Sequence, residues 1–170
     1  MKVKLSIIYS WFIRSITYFL PNIPLIMRFR GFLYSLFMDE CGKDFQVASS
    51  VYFNTLCGIK IGNNVYIAHN TVIIGLDLII ENEVIIGPNC VISGGNHVLN
   101  NGSFRFGVSE IARITIEKGA WVSANCTLIG GAILPQRSIL AAGGVLTKPY
   151  KEDNSIYGGI PASLIKKINV

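Results

Sequence analysis

Ile116-Glu-Lys-Gly-Ala-Trp-Val122-Ser-Ala-Asn-Cys-Thr-Leu128-Ile-Gly-Gly-Ala-Ile-Leu134-Pro-Gln-Arg-Ser-Ile-Leu140 decides the architecture. An aliphatic residue returns every six positions, and four places after each comes a small one: Ala120, Cys126, Ala132, Ser138 and Gly144. The same pairing of positions i and i+4 continues upstream as Val47/Val51, Phe53/Cys57, Ile61/Val65, Ile67/Thr71 and Ile73/Asp77. After one inserted residue come Ile80/Val84, Ile86/Cys90 and Ile92/Asn96. Twelve of the 13 leading residues are Ile, Leu or Val, types that fill 52 of 170 positions, so accident is a poor explanation. A helix would repeat near 3.6 residues and a half-buried strand every 2, and a period of six fits neither. It fits three short flat strands joined by tight corners, each strand sending one aliphatic side chain inward and each corner admitting a small residue.

The fold expected is therefore all-β: a parallel β-helix of triangular coils, eighteen residues to the coil, stacked about 4.8 Å apart by a backbone ladder. Burying one leading residue contributes roughly 1.5–3 kcal/mol, while ordering each residue's backbone costs about 1–2 kcal/mol, so no coil stands without neighbours. Residues 41–150 are assigned to the β-helix, 1–40 to an N-terminal, mostly helical, basic aromatic segment, and 151–170 to a tail with a short C-terminal helix.

The chain is 51% apolar and 15% charged, with a mean hydropathy of +0.47. It nevertheless lacks the roughly 18 unbroken apolar residues of a membrane span. Its uncharged windows, Val84–Phe104 and Gly119–Gln136, are broken by Gly, Asn and Pro. The net charge of +5 resides in Met1–Met38, where Lys2, Lys4, Arg14, Arg28 and Arg30 meet no acid. Trp11, Phe12, Tyr18, Phe19, Phe29, Phe32, Tyr34 and Phe37 accompany them. Such a segment is either a cap packed on the core or a peripheral contact with an anionic membrane surface. Arg14 splits its apolar run and Pro21 and Pro24 follow, unlike a secretory signal, so a cytoplasmic placement is expected. Cys41, Cys57, Cys90 and Cys126 form no C-x-x-C pair and read as structural. No nucleic-acid-binding motif or glycine-rich phosphate loop is present.

The repeat breaks at length once. After Ile92-Ser-Gly-Gly-Asn-His97 the chain leaves the coil for the 16 residues Val98–Arg113, and Ile114-Thr-Ile116 restarts it. An insertion at a coil corner projects as a loop, and loops of this length in a compact domain are often functional. His97 begins it. Imidazole, with a pKa near 6.5, is substantially neutral at about pH 7 and suits a general base. Asp77, one coil earlier on the same side, is the candidate to orient it, with a solvated corner residue as the plainer reading. Phe104, Arg105 and Phe106 offer rings and a cation to a sugar or to a neighbouring subunit. His69, outward in an unbroken repeat, reads as solvated or subunit-contacting.

Ile61-Gly-Asn-Asn-Val-Tyr-Ile67, Ile86-Gly-Pro-Asn-Cys-Val-Ile92, Glu117-Lys-Gly-Ala-Trp-Val-Ser-Ala-Asn125, Leu140-Ala-Ala-Gly-Gly-Val-Leu-Thr-Lys148 and Gly158-Gly-Ile-Pro-Ala162 resemble the hexapeptide-repeat acyltransferases. The resemblance runs from about Val47 to Lys167, and the basic aromatic N-terminus looks most like the acetyltransferases of bacterial surface polysaccharides, including the colanic-acid type. It implies a left-handed coil, acetyl-CoA as donor with no metal, and a homotrimer with active sites between subunits. His97 matches the family's base, whereas the family's acidic neighbour aligns closer to Gly75 than to Asp77. Trp121 and Ala124 match positions facing the thioester and pantetheine arm, with a backbone N–H near Ala124 available to an oxyanion. Ala142 matches the groove, Thr147 and Lys148 the nucleotide end, and Lys166 a second basic position, while Ser163 replaces a residue basic in some relatives. Asn70 would reach an acceptor bound above its coil.

The reading that follows is acetyl transfer to a sugar hydroxyl of a surface polysaccharide or its precursor. An amino sugar or a small antibiotic-like acceptor, and a non-catalytic scaffold, are its alternatives. A zinc carbonic anhydrase on this fold needs three histidine ligands, and the chain has two histidines.

Overall fold

The computed structural model describes residues 1–169. Two helices, α1 (Lys2–Thr17) and α2 (Pro24–Ser35), precede a prism of three parallel sheets. The first face stacks Glu40–Cys41, Ile59–Ile61, Leu78–Ile80, Ile114–Ile116 and Ile133–Leu134. The second face stacks Gln46–Val47, Tyr66–Ile67, Ile85–Ile86, Trp121–Val122, Ile139–Leu140 and Ser155–Gly159, and the third Tyr52–Phe53, Val72–Ile74, Val91–Ser93, Thr127–Ile129 and Val145–Leu146. The parallel β-helix is as expected.

All thirteen leading residues of the repeat point inward and are buried, none more than 4% exposed. Ile86 is one of them, with no exposed surface. Its truncation, Ile86→Ala, is expected to cost about 2–5 kcal/mol in urea unfolding. Lys60→Ala, on the outward side of the first face, should cost about 0.5 kcal/mol or less. Eleven of the thirteen residues at i+4 are also buried, and the two exceptions are Asp77 and Asn96. The corners carry a further rule, at i+3. Asn64, Asn70, Glu83, Asn89, Asn125 and Arg137 occupy it with φ between 49° and 63°. This left-handed conformation turns the chain through the corner and is most readily taken by Asn among residues with a Cβ.

Eighteen residues per coil holds only where no corner is enlarged. Along the first face Cys41, Ile61, Ile80, Ile116 and Leu134 stand in register, so successive coils take 20, 19, 36 and 18 residues. Every excess falls at the same corner, between the third and first faces: Phe53 to Ile61, Ile73 to Ile80 and Ile92 to Ile116. The irregular segments are therefore stacked on one vertical edge. The longest of them, expected as a loop over 98–113, is an antiparallel hairpin instead. Gly95–His97 pairs with Ser109–Ile111, His97 opposite Ser109, leaving 98–108 as its tip. Glycines let the coils close up beneath it. Gly75 has φ +131°, and a Cβ there would meet the Gly94 nitrogen at 3.0 Å; one on Gly130 would meet the Gly94 carbonyl oxygen at 2.8 Å.

The C-terminal segment corrects the sequence reading. Ala162–Lys167 is not a helix but a strand, antiparallel to Ser155–Gly159 and extending the second face. The last coil would otherwise end on an unpaired edge, and the returning strand, itself rimmed by Lys166 and Lys167, covers it. At the other end the helices pack on the first coil. Ser6 and Ser10 of α1 bond to Thr55 and to the Phe53 carbonyl, and Arg30 of α2, wholly buried, donates to the Val47 carbonyl at 2.6 Å.

Candidate active site

The stacked insertions open a cleft of about 390 Å³. Its wall comes from the three enlarged corners in turn: Asn54 and Thr55, then Ile74, Gly75 and Leu76, then Ser93, Gly95, His97, Ser109 and Ile111. Val3 of α1 closes one side. His97 sits on the first strand of the hairpin, exposed, where the ladder has parted and the pairing direction reverses. Hydroxyl and amide groups along the cleft can bind a polyol, and His97 lines the same space. An imidazole placed beside such groups can take a proton from a bound hydroxyl.

Among the described residues no carboxylate lines this cleft. Asp77 lies at the same corner, but its carboxylate accepts a 2.8 Å hydrogen bond from Arg113 Nε, across the base of the hairpin. The lining residue at the aligned position is Gly75. Asn54, Thr55, Ser93 and Ser109 are the polar groups that share the cleft with His97, and sequence reasoning had not singled them out. The signal was present: 8, 7 and 24 residues separate Phe53–Ile61, Ile73–Ile80 and Ile92–Ile116, all after a third-face strand.

The remaining candidates are distributed around the prism. Phe104 and Arg105 lie at the exposed hairpin tip, with the Arg105 guanidinium 6.0 Å from the Phe106 ring. Thr147 and Lys148 share the His97 edge, after the last third-face strand, and the Lys148 ammonium stands 5.5 Å from the Tyr150 ring. Asn70, Ala124 and Ala142 occupy the edge between the second and third faces. Asn70 is a corner residue whose N–H donates to Ser50 Oγ, with φ +58°. Ala124 accepts from the Gly143 N–H at 3.0 Å, stacking it directly beneath the corner that holds Ala142. Among the described residues the Ala124 N–H meets no backbone carbonyl. Both levels of this edge carry small side chains.

Trp121 is on the second face, its side chain outward and 47% exposed. It stands in register with Ile139, Ile156 and Lys166 on successive strands. Three ladder spacings of about 4.8 Å, roughly 14 Å in all, separate the Trp121 and Lys166 backbone positions. The second face is also the one face that does not border the His97 edge. Within one chain, then, His97 and Trp121 lie on opposite sides of the prism and cannot meet on one small molecule. Among the described residues no group of three or more His, Cys, Asp or Glu side chains is placed to hold a metal ion.

No family model matches the sequence. A curated relative is the galactoside O-acetyltransferase of Escherichia coli K12, 28% identical over 129 residues, which are 75% of this chain and 63% of that protein. The chain thus spans less than two thirds of that relative. A solved galactoside acetyltransferase in complex with coenzyme A superposes with a TM-score of 0.85 at 23% identity, covering 98% of this chain and 82% of that one. A hexapeptide-repeat acetyltransferase from Vibrio cholerae, complexed with acetyl coenzyme A, gives 0.83 at 20% identity, covering 98% and 89%. At these identities the solved structures establish the fold.

Proposed function

We propose that this chain, which belongs to the hexapeptide-repeat acetyltransferases, moves acetyl from acetyl-CoA to a sugar hydroxyl, with His97 as general base. The observation that carries the reading is the cleft at the parted ladder: a largely apolar wall built from three successive corners and set with Asn54, Thr55, Ser93 and Ser109, with His97 in its lining. The acceptor is taken to be a sugar of a surface polysaccharide or its precursor, and the relative named for galactosides sets the first compounds to try.

In this reading His97 takes the proton of the acceptor hydroxyl as its oxygen attacks the thioester carbonyl. The oxyanion that forms is met by the free Ala124 N–H, a donor already in place. When the C–S bond breaks, the imidazolium returns its proton to the departing thiolate, so an ester and a free thiol result. The small side chains of Ala124 and Ala142 would let a slim pantetheine arm lie along their edge. Lys148 and Lys166 suit phosphates as point charges.

The separation of His97 from Trp121 makes the site a joint product of two copies. A neighbour that presents its second face to the His97 edge completes the cleft, and three such contacts close a ring. Exposed Ile85 beside Trp121 gives that face apolar surface to bury. Co-folding His97→Ala with Trp121→Ala tests this. In randomly mixed trimers about a quarter of the clefts regain both intact residues, so the mixture should exceed either variant alone. No recovery would put both residues in one chain's site. The function itself is tested by following thiol release from acetyl-CoA across galactosides, other hexoses and amino sugars. Release with hydroxyl sugars is expected; preference for amino sugars would shift the reading to amide formation, and no release with any acceptor would leave a scaffold.

A further inference from the structure

The N-terminal helices are amphipathic in the opposite sense to those of an ordinary water-facing cap. α1 buries Ser6, Ser10, Ile13 and Thr17. Its hydroxyls are spent on the prism: Ser6 Oγ lies 3.1 Å from Thr55 Oγ1 and accepts the Leu56 N–H at 2.7 Å, and Ser10 donates to the Phe53 carbonyl at 2.8 Å. Helical spacing sends Lys4, Leu5, Ile8, Trp11 and Phe12 to the other side. There Ile8 is 62% and Trp11 64% exposed. α2 repeats the arrangement, burying Met27, Arg30, Gly31 and Tyr34 while Leu25, Phe29 and Phe32 face outward. Phe19, in the turn between the helices, is 91% exposed. Among the described residues, 16 of the 29 exposed large apolar side chains lie in the first 36. Water-soluble monomers rarely leave so much contiguous apolar surface uncovered.

Charge identifies the occupant. The first 38 residues hold five basic side chains and no acid. Lys2 and Arg28 meet Asp39 and Asp44 at the flank of the helices, and Arg30 is buried. Lys4 remains on the outward side, and the Arg14 guanidinium lies 5.8 Å from the Tyr18 ring and 5.7 Å from the Tyr52 ring. Apolar and aromatic side chains with Lys4 among them, and no carboxylate in either helix, match the boundary between lipid headgroups and acyl chains. Neither helix is long and apolar enough to cross a membrane.

We infer that the outer face of α1 and α2 docks flat on an anionic bilayer, with Trp11, Phe12 and Phe19 in the interface and Lys4 at the phosphates. The same helix contributes Val3 to the wall of the His97 cleft. One element thus lies on the lipid and beside the reacting imidazole, which makes the acceptor a glycan carried on a membrane lipid. This last step rests on the proposed function; the docking does not.

The test floats the full chain with vesicles of phosphatidylcholine alone, or with about one third phosphatidylglycerol, and raises the salt across a parallel series. Binding to the anionic vesicles, weakened by salt, is expected. Trp11→Ser with Phe12→Ser should lower the bound fraction about tenfold or more, with thiol release to a soluble sugar unchanged. Lys4→Glu, which leaves the apolar face intact, should reduce the preference for anionic vesicles. An unchanged unfolding midpoint shows that each variant has folded. Absence of binding to either vesicle, with the double variant sedimenting as a smaller particle, would assign the face to a second copy and overturn the docking. Binding without any thiol release would leave the docking standing and remove the acetyl-transfer reading with its lipid-carried acceptor. Equal turnover of lipid-linked and free glycan by vesicle-bound protein would overturn the acceptor assignment alone.

Discussion

His97→Ala is expected to slow thiol release from acetyl-CoA by about 10² to 10⁴, the usual contribution of a positioned general base. The loss should fall on kcat, with the KM for acetyl-CoA little changed, because in the proposed reaction the imidazole acts on the acceptor's proton and the residues proposed to hold the donor are left intact. Stability should hardly move. His97 is exposed on a hairpin strand that stands clear of the thirteen inward positions, and substitutions at such sites usually stay within about 0.5 kcal/mol. A His97→Asn protein keeps a polar side chain there without a usable base and should match the alanine variant. Equal turnover by wild type and His97→Ala would dismiss the imidazole as the base and leave the cleft without a proton acceptor of suitable pKa.

Arg30→Ala is expected to destabilise the folded chain by about 3–5 kcal/mol. The guanidinium is fully buried and each nitrogen is engaged: Nε with Thr17 Oγ1, Nη1 with Asn22 Oδ1 and the Val47 carbonyl, Nη2 with the carbonyls of Thr17 and Leu20. One planar group thereby ties the end of α1, the turn after it and the first coil to α2. Its removal leaves three backbone carbonyls facing a cavity. Arg30→Lys should not restore the loss, since an ammonium has three donors and no planar fork. The measurement is the urea midpoint at unchanged slope. A shift worth less than about 1 kcal/mol would mean that water replaces the guanidinium at no great cost.

The prism was legible because most strands have a single inward position, the first-face strands at Ile59–Ile61, Leu78–Ile80 and Ile114–Ile116 burying two, so burial imposed an aliphatic residue every six. The break at His97 was legible for the same reason. What the spacing did not reveal was where on the circumference each site residue falls. That depends on counting every enlarged corner, and the two-residue excess after Phe53 was absorbed into the gap between windows. Asp77 illustrates this: repeat position sets it near His97 without separating an orienting carboxylate from a solvated corner residue, and in the structure Arg113, from the far end of the insertion, donates to its carboxylate. Ala162–Lys167 misled differently. Its exposed lysines suit a solvated helix equally well, and only the bare edge of the strand before it makes an extended partner the better solution. The hydroxyl stripe of α1 was equally hidden, because Ser6 and Ser10 become interior residues only once Phe53 and Thr55 are known to lie beneath them.

Since every surplus residue leaves and rejoins the ladder along one edge, the other two edges keep their spacing whatever happens there. The body then works as a spine with a single row of sockets. Exchanging the segment at one socket alters what the cleft admits, while the strands and corners elsewhere keep their spacing, so the cleft can be reshaped in this chain without the fold being rebuilt.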